Sequence, residues 1–262
     1  MKTMFFDIDG TLIDCVNGIM SIPQTTRNTL DQLKENGHEV FIATGRCPSF
    51  ILDGVLDYPF SGFVTCNGAY VEYHGQVVYE ECMDLTALKV LDSFCRERKI
   101  AYYMESNHDI YVFNKEHPVH LEFTQQWGMK EEIIVDDFDL SKVKVYICMI
   151  ALNHQDEVAE MMATLSPYFS ILPHHSGLSF DLISKDISKA NGIEKLINHL
   201  NRDMKDTIAF GDGSNDVEML QSVGYSIAMG NGCDEAKAVA TMIGDTVVND
   251  GITKACKKLK LI

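Results

Sequence analysis

The sequence is poor in positive charge, in closely spaced cysteines and in long apolar runs. Lysine and arginine together number 22 against 38 aspartates and glutamates, which gives a formal net charge of −16. Because such a chain repels a phosphate backbone, the composition argues against nucleic-acid binding as the main function. A small anionic substrate would need a local cation, either a metal ion or a suitably placed lysine.

The eight cysteines form no CxxC pair and show no paired metal-ligand spacing. Scattered cysteines of this kind are typical of free thiols in a reducing cytosol. No apolar stretch approaches the length that spans a bilayer, and the chain reaches Asp7 after one short apolar run, unlike a signal peptide. We therefore expect a cytoplasmic protein without a membrane partner, and a homo-oligomer is compatible with the sequence.

The chain is long enough for one large or two modest domains, with 262 residues of which 46% are apolar. Nearly continuous apolar runs predict strands buried on both faces of a parallel sheet, at residues 3–7, 39–45, 62–68, 207–213 and 225–232. Helical periodicity lies between them, at residues 24–36, 188–200 and 215–223. This alternation predicts a doubly wound, Rossmann-like α/β domain.

The middle of the chain has a different pattern, with hairpins and more aromatic residues. It predicts helices at 85–98, 118–128 and 155–166, a hairpin at 101–113, a strand at 143–151, and two strands within 169–184 around Ser176 and Gly177. That composition is α+β. We therefore predict a second domain, residues 82–184, inserted into an α/β domain made of residues 1–81 and 185–262.

Polar residues end the apolar runs. Ligands of open α/β sheets bind beyond the carboxyl ends of the strands, so the candidate site residues are Asp7, Asp9, Thr44, Gly45, Arg46, Asn67, Asp212, Asn215 and Asp216. A carboxylate such as Asp7 can attack phosphorus or ligate a metal. Asp9, two residues on and on the same side of an extended chain, could move a proton. Alternatively, both aspartates only accept hydrogen bonds within the turn.

The segment GDGSND, residues 211–216, forms a second acidic cluster that opens a helix. Asp212 and Asp216 offer hard oxygen ligands, which suit Mg²⁺. Together with Asp7 they would hold several negative charges, a group that is stable only with a divalent cation. The alternative is that Asn215 and Asp216 cap the helix.

Two further residues fit an anion site. The hydroxyl of Thr44 and the backbone amides that follow it, from Gly45 on, could hold phosphate oxygens, or Thr44 is an ordinary turn residue. Lys189 lies in the first turn of a predicted helix, where its charge opposes the helix dipole. This misfit indicates that Lys189 faces an anion, although a lone lysine is also common on a solvated surface.

The motifs DIDGT (7–11), TGR (44–46), Lys189 and GDGSND (211–216), in this order, resemble the four motifs of the haloacid dehalogenase-like superfamily of phosphohydrolases. The large α+β insertion between the second and third motifs, and NGA (67–69), are similar to its Cof-type branch. This resemblance implies a substrate-selecting cap at residues 82–184 and Mg²⁺ as cofactor.

The resemblance also implies a role for each site residue. Asp7 would be the nucleophile that forms an aspartyl-phosphate, and Asp9 the general acid and base. Thr44, Gly45, Lys189 and Asn215 would contact the phosphoryl group or substrate. The implied metal site consists of Asp7, the backbone carbonyl of Asp9, Asp212 (directly or through water) and, in support, Asp216.

The third motif departs from the family pattern. Ala190 follows Lys189 where the family commonly has glycine, which we expect to have little consequence because alanine is an excellent helix former. The preceding segment SKDIS (184–188) lacks the usual Pro-x-Gly-Val, which leaves Lys185 as an alternative to Lys189. The combination Ser188-Lys189 matches the motif better.

We therefore expect a Mg²⁺-dependent phosphatase that acts on a small phosphorylated metabolite, such as a sugar phosphate or a nucleotide-like cofactor. One alternative is a phosphomutase acting on hexose phosphates. The other is a non-catalytic Mg²⁺-binding or ligand-binding module, against which the presence of both Asp7 and Asp9 argues. Arg46, Asn67 and His175 are further candidates for contacts that select the substrate.

Overall fold

The computed structural model describes residues 1–125, 129–174 and 177–262. These residues form two compact units. The first consists of Met1–Arg46, Ile51–Glu80 and Ser188–Ile262, and the second of Cys47–Phe50 and Glu81–Ile187. The predicted domain limits at 82 and 184, and the role of the inserted part as a cap, stay predictions.

The described residues form strands in two sheets, together with helices. The strands are, in chain order, β1 (Thr3–Phe6), β2 (Glu39–Ala43), β3 (Gly62–Thr65), β4 (Tyr70–Tyr73), β5 (Gln76–Glu80), β6 (Ala101–Glu105), β7 (Ile110–Phe113), β8 (Ile134–Val135), β9 (Ile147–Ala151), β10 (Phe169–Pro173), β11 (Ser179–Ser184), β12 (Thr207–Gly211), β13 (Tyr225–Ala228) and β14 (Met242–Ile243). The helices are α1 (Gln24–Glu35), α2 (Asp53–Leu56), α3 (Leu85–Arg98), α4 (Val119–Gln125), α5 (Glu157–Leu165), α6 (Lys189–His199), α7 (Val217–Ser222), α8 (Asp234–Val239) and α9 (Gly251–Lys258).

The first unit is built on a sheet with the strand order β14-β13-β12-β1-β2-β3-β4-β5. The strands from β14 to β3 in this order are parallel, and β1 lies between β12 and β2. The carboxyl ends of β1, β2 and β12 are therefore neighbours, so the polar residues that follow them meet at one edge. The predicted α/β fold with an inserted α+β part is confirmed.

Alternate residues of β1 enter two separate hydrophobic cores. Met4 and Phe6 belong to a cluster with residues of α1 and α9, whereas Phe5 belongs to a cluster with residues of α6 and α7. All three side chains are fully buried. A strand covered on both faces needs apolar residues at every position, which explains why the run that precedes Asp7 does not alternate.

The sheet of the first unit is not wholly parallel, which corrects one part of the prediction. Strands β4 and β5 form an antiparallel hairpin at its edge. His74 and Gly75 connect them, with φ angles of 47° and 77°. Two successive residues with positive φ match the twist of a tight hairpin, so the turn specifies the pairing locally.

The second unit has a six-stranded sheet with the order β10-β11-β9-β6-β7-β8. The hairpin expected at 101–113 is present as β6 and β7. The strand expected at 143–151 begins only at Ile147. Residues 126–128 of one predicted helix, and Ser176 of a predicted turn, lie outside the described residues.

None of the helices in the described ranges combines the length and the apolar character that crossing a bilayer would require.

Candidate active site

Three neighbouring strands of the first unit deliver the candidate residues to one edge of the sheet. Asp7 follows β1, and its backbone N–H donates to the carbonyl of Phe210 at 3.0 Å. Thr44 follows β2, and its N–H donates to the carbonyl of Val64 at 2.8 Å. Asp212 follows β12. Because backbone hydrogen bonds continue one residue past β1 and β2, these first polar positions are held in register with the sheet.

Lys189 connects two of the predicted carboxylates. Its Nζ donates to Asp7 Oδ1 at 2.7 Å and to Asp216 Oδ1 at 2.6 Å, and the lysine is fully buried. Burial opposes its charge, but Asp216 and Asp7 together raise the pKa of Lys189 above its ordinary value. Lys185, the alternative lysine, is exposed. The unfavourable position of Lys189 in the first turn of α6 is thus offset by two ion pairs.

The carboxylates around Lys189 are crowded. Asp7, Asp212 and Asp216 each place one oxygen within 4.8 Å of the others. Burial, with repulsion from Asp216 and Asp212, raises the pKa of Asp7 well above its ordinary value, although Lys189 opposes this. Burial and Asp216 raise the pKa of Asp212 to about 7. One ammonium group does not balance three carboxylates, and three hard oxygens fit a divalent cation such as Mg²⁺.

Asp216 is fully buried, and both of its oxygens are engaged. Oδ1 accepts from Lys189, whereas Oδ2 accepts from the backbone N–H of Asp212 at 2.8 Å and of Gly213 at 2.9 Å. Asp216 therefore holds the loop that precedes it and at the same time orients Lys189, whereas its side chain makes no capping hydrogen bond to α7. This geometry favours a supporting role for Asp216 at the metal site.

The first and last motifs meet at Gly10. Asp212 Oδ1 accepts a hydrogen bond from the hydroxyl of Thr11 at 2.8 Å. Gly10 has a φ of +80°, and a Cβ atom at this position would overlap the carboxylate of Asp212. The glycine is therefore needed both for its backbone conformation and for the space it leaves.

We expect Gly10→Ala to lower both stability and turnover, because the new methyl group displaces the Asp212 carboxylate. Gly37→Ala is a matched control, since Gly37 has a φ of +79° and nothing within 4 Å of the added Cβ. The control should lose only the cost of the left-handed backbone, about 1–2 kcal/mol. Urea unfolding and initial rates of both variants measure the difference. Equal losses in the two variants would contradict the contact with Asp212.

The side chain of Asp9 faces Arg46. Arg46 donates from Nε to Asp9 Oδ2 at 2.7 Å and from Nη2 to Oδ1 at 2.8 Å. Burial alone would raise the pKa of Asp9, but the Arg46 guanidinium holds it below its ordinary value. Asp9 is thus kept ionised, as a base requires. Its carboxylate is not part of the clustered triad, so a metal contact would fall to its backbone carbonyl, as the resemblance implies.

The remaining candidates lie together around Gly45. The Thr44 hydroxyl accepts from the N–H of Arg46 at 3.2 Å. Asn215 Nδ2 donates to Asn67 Oδ1 at 3.1 Å. A Cβ atom on Gly45 would lie 3.3 Å from Asn67 Oδ1 and 3.4 Å from Asn215 Nδ2. His175, a further candidate, lies outside the described residues.

The sequence reasoning missed three contacts of the site. The sequence predicts Arg46 as a candidate site residue that could select the substrate, but it does not indicate the pairing of Arg46 with Asp9. Thr11 bonds to Asp212, and Asn231 donates from Nδ2 to the carbonyl of Gly10 at 2.7 Å. Thr11 and Arg46 stand inside the quoted motifs, which was the available signal. Asn231 lies at the polar end of the apolar run 225–232, after the observed strand β13, and its partner is 221 residues away in the sequence.

Comparisons with known proteins show the family and the fold. The family model described as haloacid dehalogenase-like hydrolase matches residues 4–256. The Bacillus subtilis (strain 168) protein named "Putative phosphatase YkrA" is 34% identical over 261 residues, covering 100% of this chain and 98% of the relative. From the same organism, 5-amino-6-(5-phospho-D-ribitylamino)uracil phosphatase YitU is 25% identical over 277 residues, covering 96% of this chain and 95% of the relative.

Solved structures resemble the whole chain. The structure of the HAD subclass IIB sugar phosphatase BT4131 superposes with a TM-score of 0.87 at 27% identity, and the match covers 100% of both chains. The structure of BT1666 from Bacteroides thetaiotaomicron, described among phosphatases of the HAD superfamily, gives a TM-score of 0.84 at 25% identity, covering 100% of this chain and 96% of the other.

Proposed function

Because the chain belongs to the family of haloacid dehalogenase-like hydrolases, we propose that it is a Mg²⁺-dependent phosphatase of small phosphorylated metabolites, acting through an aspartyl-phosphate. The observation that carries this proposal is the position of Lys189. Its Nζ lies between Asp7 and Asp216, beside a third carboxylate, Asp212, at the carboxyl edge of the sheet. Such a site concentrates the charges that phosphoryl transfer requires.

Asp7 is the proposed nucleophile. Lys189 holds Oδ1 and thereby orients the carboxylate, whereas Oδ2 has no hydrogen-bond partner among the described residues. Oδ2 attacks phosphorus, and the bond from phosphorus to the leaving oxygen breaks as the new bond forms. Asp7 and Asp212, supported by Asp216 and the carbonyl of Asp9, would hold the metal. When bound there, Mg²⁺ neutralises negative charge, so that two anions can approach each other.

Asp9 moves the proton in both halves of the proposed reaction. It protonates the leaving oxygen in the first half, and in the second half it removes a proton from the water that releases phosphate from Asp7. Arg46 favours the ionised form of Asp9, which suits the second half. Asp9 must therefore take up a proton from solvent before the first half, which requires the two hydrogen bonds from Arg46 to loosen, and this proton then passes to the leaving oxygen.

The proposed substrates are sugar phosphates or nucleotide-like phosphate esters. This choice rests on relatives whose names specify a sugar phosphatase and a ribitylaminouracil phosphatase. The second unit, which is inserted between the second and third motifs, is proposed to select among them. The net charge of −16 supports a small substrate rather than nucleic acid.

Phosphate release from an aryl phosphate and from a panel of phosphorylated metabolites tests the proposal. We expect release that stops on chelation of divalent ions and returns with added Mg²⁺, because the three carboxylates are otherwise unbalanced. Analysis of the hexose products separates hydrolysis from a mutase reaction. Activity that is indifferent to chelation, or an isomerised sugar phosphate without free phosphate, would contradict the proposal.

A further inference from the structure

The turn after β3 has an uncommon backbone. Cys66 and Asn67 each have a φ of 52°, and Gly68 follows with a φ of 102°. Two successive non-glycine residues in the left-handed region cost conformational energy, which asparagine tolerates better than most residues. Strain of this kind persists only where the surrounding structure enforces it, and it is concentrated at functional sites.

Two segments of the candidate site enforce this turn. The backbone N–H of Asn67 donates to the carbonyl of Thr44 at 3.1 Å, and that of Cys66 donates to the carbonyl of Arg46 at 3.0 Å. A Cβ atom on Gly68 would overlap the carbonyl oxygen of Ser188, the residue before Lys189. The turn is therefore fixed between the TGR loop and the start of α6.

The side chain of Asn67 is only half satisfied. The residue is 2% exposed, and its Oδ1 accepts from Asn215. Its Nδ2 is buried and has no hydrogen-bond partner among the described residues. Buried amide donors are almost always paired, so an unpaired one beside a reaction site indicates a missing acceptor.

The position of Asn67 Nδ2 indicates which kind of acceptor it would bind. A Cβ atom on Gly45 would lie 3.4 Å from Asn67 Nδ2 and 3.4 Å from Asn215 Nδ2. Both amide nitrogens thus flank the same glycine, which places no side chain between them. Two neighbouring neutral amide donors suit the oxygens of a tetrahedral anion.

We propose that Asn67 is a further phosphoryl-binding residue, whose Nδ2 donates to a phosphate oxygen while its Oδ1 positions Asn215. This inference rests on the proposed function and deepens it. The ligand class is the phosphate monoester, or the inorganic phosphate that its hydrolysis releases. The proposed bond forms when the anion is bound.

Two variants test the inference with inorganic phosphate as the probe and Mg²⁺ present. Asn67→Gly deletes the amide and suits the left-handed backbone, whereas Asn67→Asp keeps the shape but places an acceptor where the donor was. Calorimetry should give a Kd for phosphate raised about tenfold or more in both, since a hydrogen bond to a charged group contributes that much. KM for an aryl phosphate should rise in parallel. The unfolding temperature of Asn67→Gly should not fall.

His74→Gly is the matched control, because His74 is exposed and has a φ of 47° in the β4–β5 turn. It should leave the Kd unchanged. A wild-type Kd in either folded Asn67 variant would overturn the inference and leave Asn67 as a turn residue only. The wild-type protein could bind phosphate, with weaker binding in the Asn67 variants, and yet release none from any ester. That result would support the inference and contradict the proposed function. If the wild-type protein binds no phosphate, the inference is overturned, whereas the proposed function is still decided by phosphate release from esters.

Discussion

Lys189→Met is expected to destabilise the first unit by about 3–5 kcal/mol and to abolish turnover. The lysine is fully buried between Asp7 and Asp216, at 2.7 and 2.6 Å. Methionine has a similar length but no charge, so two buried carboxylates would face each other without compensation. Urea unfolding and phosphate release measure the two effects.

Lys195→Met is the control for this change, because Lys195 is an exposed lysine of the same helix, α6. It should alter stability by less than about 1 kcal/mol and leave the rate unchanged. Added Mg²⁺ should recover part of the stability lost in Lys189→Met, since a cation again offsets the carboxylates. A Lys189→Met protein as stable as the control would show that Lys189 does not compensate the acidic site.

Asp7→Asn is expected to reduce phosphate release by at least about a thousandfold, because the amide cannot act as nucleophile. In contrast to this loss of activity, the substitution should not lower the stability of the folded protein. The folded state holds the Asp7 proton more tightly than the unfolded state, so stability falls as the pH rises above the unfolded pKa of about 3.9. Asparagine carries no titratable proton, so the variant does not lose stability in this way. At pH 7 without metal, the free energy of unfolding of the variant should equal or exceed that of the wild-type protein.

Asp206→Asn is the matched control for Asp7→Asn. Asp206 belongs to the same unit, and it forms a partly exposed ion pair with Lys2 at 2.7 Å. This variant should retain the wild-type rate. Retained activity in Asp7→Asn would refute the nucleophile assignment. A strong loss of stability in Asp7→Asn would mean instead that the Asp7 carboxylate is needed for the fold.

The strands of the first unit could be predicted because each buried strand is a nearly continuous apolar run in the sequence. All five apolar runs become strands that begin at the predicted residue, since residues covered on both faces must be apolar throughout. The β4–β5 hairpin was missed. Its signal is one His-Gly pair at positive φ, and its strands are only partly buried.

The residue types of the candidate site could also be predicted, but its pairings could not. The position of Lys189 in the first turn of a helix, where its charge opposes the helix dipole, indicated that it faces an anion. That the anions are Asp7 and Asp216 depends on contacts across 182 and 27 positions of sequence. Likewise, nothing local to TGR shows that Arg46 reaches back 37 positions to Asp9. Such pairings are set by strand order and helix placement, which the motifs alone do not specify.

The stereochemical course at phosphorus tests the covalent mechanism most directly. A phosphate ester whose phosphorus is made chiral with sulfur and oxygen isotopes would be hydrolysed in isotopically labelled water, and the configuration of the product determined. Each in-line displacement inverts the configuration at phosphorus. Two displacements, first by Asp7 and then by water, predict net retention. Net inversion would contradict the account, because it would mean a single, direct attack by water.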